Sequence, residues 1–286
     1  MYIEGYVTMP GVRYIFIRGV DQSPPQLALG CLLLMAGVWV LGAGSTAWSA
    51  ELNHENEYRR CMVLAKSRPK DGFEAALEWR SLGGGTAADH CAAVALIELG
   101  SFEEAATRLE RLAKNSLEEP KIKAGLYGQA GQAWLLAGRT EPATNAFSSA
   151  IALAPMEVDF YVDRAQAWAA RKDFAAAETD LSKALQLSPS RADVYALRAS
   201  ARRFLDLPAA ALTDTKIALE LEPNNPEALL ERGILRRLAG DKAGARADWM
   251  KILNGMPDSD AADPARKNIE LMDVKPDAEQ PAPPKR

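Results

Sequence analysis

VDFYVDRAQAWAARKDFAAAETDLSKALQLSPSR, residues 158–191, runs without a gap into ADVYALRASARRFLDLPAAALTDTKIALELEPNN, residues 192–225. Laid one above the other, the two stretches align Tyr161 with Tyr195, Arg164 with Arg198, Ala165 with Ala199, Ala177 with Ala211 and Pro189 with Pro223, always 34 residues apart. The register extends outward in both directions. Pro155 and Pro257 join the proline column, and Ala143 and Ala245 join the alanines at 177 and 211. Ala150, Ala184, Ala218 and Ile252 form a further series. Gly131 and Gly233 flank Ala165 and Ala199 in a column of small residues, while Tyr127 and Leu229 flank the two tyrosines. Five series in one register, with no insertion from 124 to 259, establish an internal repeat.

Each column has a physical reason. A small residue at 131, 165, 199 and 233 lets the two helices of a hairpin approach closely, and the alanines at 143, 177, 211 and 245 match it on the second helix. The tyrosines can fill the gap between successive hairpins. The prolines follow each second helix, which an imino residue cannot propagate. Turn residues stand between the helices at Ala137-Gly138-Arg139, Lys172-Asp173, Leu205-Asp206 and Ala239-Gly240-Asp241.

On these residues the chain resembles the tetratricopeptide-repeat (TPR) family, whose helix–turn–helix unit is 34 residues long. The resemblance implies an all-α fold, a right-handed α-solenoid of antiparallel helix hairpins. The repeats read as 124–157, 158–191, 192–225 and 226–259, with a degenerate unit at 86–119 that has Gly100, Phe102 and Ala105 but Leu117 where the closing proline belongs. Residues 51–85 predict an N-terminal helical pair, over 52–66 and 71–82, ending at Gly83-Gly84-Gly85. Asp263-Pro264 starts a predicted capping helix within 260–274, and the proline-rich, charged stretch 275–286 predicts a disordered tail.

Composition agrees with a folded helical body. Apolar residues make up 48% of the 286, charged residues 25% and aromatic residues only 7%, which favours helix packing through small side chains. The net charge is −4, and residues 1–50 contribute nothing to it, so the body is weakly acidic. A nucleic-acid partner would require a basic face and is not expected.

Residues 1–50 read as an export segment. Arg13 and Arg18 precede an uncharged stretch from Leu27 to Ala50 whose apolar centre, Leu27–Leu41, has the length of a signal-peptide core. Small residues follow, and cleavage after Ala47 or Ser49 fits a peptidase that accepts only small groups one and three positions before the cut. The alternative is an uncleaved tether through Leu27 to Ala47, since such a stretch can span a bilayer core of about 30 Å. Either way the body is expected beyond the membrane, periplasmic in an exported protein of bacterial type. Cys31 lies inside the apolar run rather than at its end, which argues against a lipoprotein.

Two cysteines remain in the body, Cys61 and Cys91, and in an oxidising compartment such a pair is expected to be bonded. A bridge would close a loop worth about 3–4 kcal/mol in the chain-entropy model and staple the one-sided end of the stack. Two separately buried thiols are the other reading. With His54 and His90 the cysteines make a nominal zinc set, but adjacent His90 and Cys91 diverge on a helix and do not converge on one ion. No phosphate loop, nucleophile elbow or paired carboxylates occur, so neither a catalytic site nor a cofactor is expected.

The resemblance places ligand contacts on the first helix of each repeat, at its second, fifth, ninth, twelfth and thirteenth residues. The ninth column is Gln132, Gln166, Ser200 and Ile234; the twelfth ends in Arg203 and Arg237; the second includes Asp159. The fifth column, Gly128, Val162, Ala196 and Leu230, lacks the lysine and asparagine with which the family grips a C-terminal carboxylate. Gln132 and Gln166 are therefore candidates for hydrogen bonds to an extended peptide, and Arg203 and Arg237 for pairing with an acidic segment or polyanion. The wider cluster, Arg198, Arg202 and Arg203 with Arg232, Arg236 and Arg237, has a plain reading as exposed ion pairs to Asp163, Asp193 and Glu231, worth little each. The functional reading expects Arg203→Glu with Arg237→Glu to abolish partner capture without lowering the melting temperature. The chain thus reads as a non-catalytic scaffold for proteins or extended peptides, with self-association or a place in an envelope enzyme complex as alternatives.

Overall fold

A computed structural model describes residues 45–273, with side chains from His54 onward. The sequence-predicted tail at 275–286 and the export segment up to residue 44 lie outside the described residues. Among the described residues there is no strand, and no helix is long and apolar enough to cross a membrane.

Among the described residues, thirteen α-helices follow one another as antiparallel hairpins. They are α1 (Ser45–Ser67), α2 (Pro69–Trp79), α3 (Gly85–Glu98), α4 (Phe102–Asn115), α5 (Pro120–Leu136), α6 (Thr140–Leu153) and α7 (Val158–Ala170). After these come α8 (Phe174–Leu187), α9 (Ala192–Phe204), α10 (Pro208–Leu221), α11 (Pro226–Leu238), α12 (Lys242–Gly255) and α13 (Ala262–Asp273). Each helix packs on its chain neighbours, and α1 also reaches α3, α5 reaches α7 and α9 reaches α11. The result is an all-α solenoid in which the odd-numbered helices form one layer.

Local chemistry sets the boundaries. Pro69, Pro120, Pro208 and Pro226 occupy first-turn positions where a missing N–H costs nothing. The side chains of Asp173, Asn225 and Asp241 cap α8, α11 and α12 by accepting from the backbone N–H groups of Ala176, Ala228 and Gly244 at 3.1, 2.9 and 2.8 Å. The tight turn inside each full repeat needs one left-handed residue. Gly138 and Gly240 supply it freely, whereas Lys172 and Asp206 adopt it at φ +63° and +58° despite their Cβ atoms. The closing prolines all stand in turns just beyond the second helix.

The small-residue column is explained by what faces it sixteen positions on. A Cβ on Gly131 would lie 2.6 Å from the Phe147 ring, and one on Gly233 would lie 2.3 Å from the Trp249 indole. The middle repeats have alanine instead, Ala165 and Ala199, and the residues in the facing column shrink to Leu181 and Thr215. All eight side-chain positions are buried. Bulk on one helix is exchanged for bulk on the other, so four hairpins keep one spacing with different contents.

One departure from the period comes before the first full repeat. The left-handed glycines Gly100 and Gly138 are 38 residues apart rather than 34. The four additional residues are absorbed as an extra turn, which makes α5 17 residues long where α7, α9 and α11 have 13.

Candidate partner-binding groove

Neighbouring odd-numbered helices are tied by polar contacts at one repeating column. On α5, Gln129 accepts from Nε2 of His90 on α3 at 2.8 Å. On α7, buried Asp163 accepts from Gln132 of α5 at 3.1 Å, and on α11, buried Glu231 pairs with Arg203 of α9. Burial pushes the Asp163 carboxyl up to about 7, against which the Gln132 hydrogen bond works, while Asp159 adds to the rise and Arg191 opposes it. Burial likewise raises Glu231, and Arg203 pulls it back.

The corresponding residue on α9 is Leu197, which cannot make such a tie. There α7 and α9 approach each other less closely than α9 and α11 do, and a cavity of about 380 Å³ opens. Alanines 165, 169, 177, 196 and 201 form its floor, so little side-chain volume fills it. Phe174 and Phe204, stacked with centroids 4.3 Å apart, stand on one side, with Leu230 and Ile234 of α11 on another. Helix α13 closes the far end through Pro264, Lys267, Asn268 and Leu271. Arg203, its guanidinium 4.2 Å from the Phe204 ring, and Arg237 supply positive charge at the rim.

The scan for family resemblance matches residues 129–192 to the Tetratricopeptide repeat family. Among solved structures, the Thermus thermophilus TPR protein TTC0263 superposes with a TM-score of 0.52 at 21% identity, covering 66% of this chain and all of that one. MamA superposes with a TM-score of 0.51 at 14% identity, over 68% of this chain and 98% of that one. The second TPR domain of human RPAP3, solved with an HSP70 peptide, shares 27% identity over 41% of this chain and 98% of that one, with a TM-score of 0.40. No curated protein matches the chain. Residues 129–192 are thus similar to tetratricopeptide repeats (TPR), and the fold of the array is that of TPR solenoids. The all-α solenoid expected from the sequence is the architecture observed.

Within this TPR array the arginine columns point elsewhere than the sequence suggested. Arg164, Arg198 and Arg232 each donate twice to a carboxylate sixteen residues on, Asp180, Asp214 and Asp248, at 2.7–3.0 Å. These aspartates are buried on the second helix of the same repeat. Arg202 adds bonds to Asp214 and Glu178, and Arg236 to Asp248. The plain reading as exposed pairs with Asp163 and Asp193 is thereby corrected: the partners lie across the hairpin, beyond the reach of a search along one helix. Such buried bidentate pairs clamp hairpins together. Only the pairing with Glu231 stands, through Arg203. Of these seven arginines, Arg237 alone lacks a carboxylate partner among the described residues, and its Nε is buried without an acceptor.

Of the five residues singled out for partner contact, the cavity brings together Gln166, Arg203 and Arg237. Gln132 is spent on Asp163, and Asp159 accepts from Arg191 at 2.8 Å. Because Arg203 neutralises buried Glu231, Arg203→Glu would set two carboxylates together. An unchanged melting temperature is expected only for changes at Arg237. Lys267 and Leu271 had no signal as site residues, because α13 lies outside the repeat register. Phe204 did carry one, standing in the thirteenth column.

At the other end, Cys61 of α1 and Cys91 of α3 face each other with Cα atoms 6.1 Å apart, a separation that suits a disulfide. His90 is fully engaged, since Nδ1 faces the Tyr58 hydroxyl at 2.8 Å while Nε2 donates to Gln129. Burial lowers its pKa. Among the described residues no group of three or more histidine, cysteine or acidic side chains is placed to hold a metal ion.

Proposed function

We propose that the protein is a non-catalytic scaffold of the cell envelope that holds a protein partner or extended peptide in the groove between α7 and α13. The single observation that carries this is the cavity at the α7–α9 seam, an apolar hollow with polar groups at its rim, as ligand sites commonly are. Gln166 and Arg237 are the contact residues, and the partner class is a segment with acidic character, because the cations of the lining, Arg203, Arg237 and Lys267, outnumber its carboxylates, Glu227 and Glu231. The apolar run Leu27–Leu41 behind Arg13 and Arg18, and the Cys61–Cys91 proximity, support export to an oxidising compartment. The body then works in the periplasm, either free after cleavage or tethered through Leu27 to Ala47.

Placing a photo-crosslinking residue at Gln166, and separately at exposed Lys216 on α10, tests the groove. Reproducible adducts from Gln166 alone are expected; adducts equal at both positions, or none at Gln166, refute it. Intact mass of the envelope-derived protein tests location. A mature mass starting near residue 48 or 50, with thiols blocked until reduction, fits the cleaved form, whereas a full-length mass with both thiols free refutes the oxidising location.

A further inference from the structure

We propose that α13 is part of the binding site and not only a cap, making with α9 and α11 a two-part subsite for a leucine or aromatic side chain followed by an aspartate or glutamate. This rests on the groove reading and specifies what the groove selects. The apolar half is built from Phe204, Leu230, Ile234 and Leu271, which stand around the alanine floor. Leu271 is 59% exposed, on a helix whose Ala262 and Ala265 are buried, and it lines the cavity.

The anionic half follows from charge. Arg203 enters the cavity wall already neutralised by Glu231. Arg237 and Lys267 also line the cavity, and neither has a carboxylate partner among the described residues. The Nε of Arg237 is buried with no acceptor, a costly state that an incoming carboxylate would relieve. With Glu227 counted beside Glu231, the lining still carries three cations against two carboxylates, and this excess beside an apolar hollow selects an occupant carrying a negative group next to an apolar one. At about 380 Å³ the hollow suits one or two side chains of a peptide.

Aspartates sixteen residues on hold the arginines of the other columns, the terminal repeat's Arg232 included, but the tie between Arg203 and Glu231 of the next repeat is not made again there. Arg237 follows Arg203 by 34 residues, but the next first helix, which would supply a counterpart to Glu231, is replaced by α13. Lys267 of α13 now stands at the cavity instead of a carboxylate. The end of the array thus turns an internal tie into a vacant anion contact.

The test is selection of a random dodecapeptide display library on the full chain held in detergent. Affinities of the enriched peptides are then measured against Arg237→Gln/Lys267→Gln and against Leu271→Glu. The expected result is enrichment of an apolar–acidic pair. Binding should fall at least about tenfold in the double variant, the worth of one charge-assisted contact, and also fall in Leu271→Glu. Thermal midpoints should not drop, since none of the three side chains is tied to the fold; a drop would show these residues to be structural and overturn the assignment. Enriched peptides without the pattern, or binding unchanged in both variants, would overturn the subsite while leaving the groove reading intact. No enriched peptide at all would sink both.

Discussion

Replacing Asp163 by asparagine should remove a pH dependence that this single carboxyl imposes on the whole array. Asp163 is buried between α5 and α7, and its pKa is raised from 3.8 to about 7. Between those values the folded chain holds a proton that the unfolded chain has released, so stability falls as pH rises, by about 1.4 kcal/mol per pH unit. Over the interval the loss approaches about 4 kcal/mol, a ceiling, since a hydrogen-bonded carboxylate can relax toward Arg191. Below pH 4 the contribution vanishes. His90 works in the opposite sense, because its lowered pKa costs stability only as pH falls below about 6.5. The clean quantity is therefore the difference between Asp163→Asn and wild type. Asparagine keeps an oxygen for Gln132 to donate to, so near pH 4 the two proteins should be alike. The variant should become the more stable one as pH climbs to 8, by several kcal/mol. Urea midpoints from pH 4 to 8, with equal m values, read this directly. Parallel pH profiles would refute the buried, proton-holding state of Asp163.

Gly131→Ala should cost about 1–3 kcal/mol, because its Cβ would sit 2.6 Å from the Phe147 ring; adding Phe147→Leu, which copies the Ala165–Leu181 pair, should recover part of that in a thermal melt. Lys172→Gly and Asp206→Gly should each stabilise by about 0.5–1 kcal/mol, since both positions hold a left-handed backbone, and unchanged unfolding midpoints would count against that conformation. Asp214→Ala strands Arg198 and leaves Arg202 only Glu178, and should cost about 3–5 kcal/mol by chemical denaturation, a loss comparable to a surface-charge deletion being the contrary result.

The repeat was legible because close packing constrains residue size at fixed intervals. Glycine or alanine at 131, 165, 199 and 233 has no alternative beneath a neighbouring helix, and the column shows in the sequence without knowledge of what presses on it. Its counterpart, Phe147, Leu181, Thr215 and Trp249, was not legible, because four residues so different in size look unrelated until each is set against the partner it compensates. The arginines mislead for the same reason. Their spacing of 34 is visible, but the aspartates that take their charge lie sixteen residues away on the other helix, where a reading along one surface does not look. The contribution of α13 was hidden most completely, since a helix outside the period has no column in which to be compared.

In an array of this kind function is carried by the exceptions. Gln129, Asp163 and Glu231 repeat a polar tie between successive first helices, and the repetition marks them as parts of the scaffold. Leu197 breaks the series, and the cavity lies at the seam it leaves untied. Arg237 is the second exception, a residue whose counterpart Arg203 is neutralised by the next repeat but which has no next repeat to neutralise it. Both exceptions border the same hollow. Neither would stand out in a chain without internal repetition, where a leucine on a helix and an arginine near a terminus are unremarked. Here the other repeats serve as controls within one molecule, and against them these two residues define where the scaffold has a surface to spare for something else.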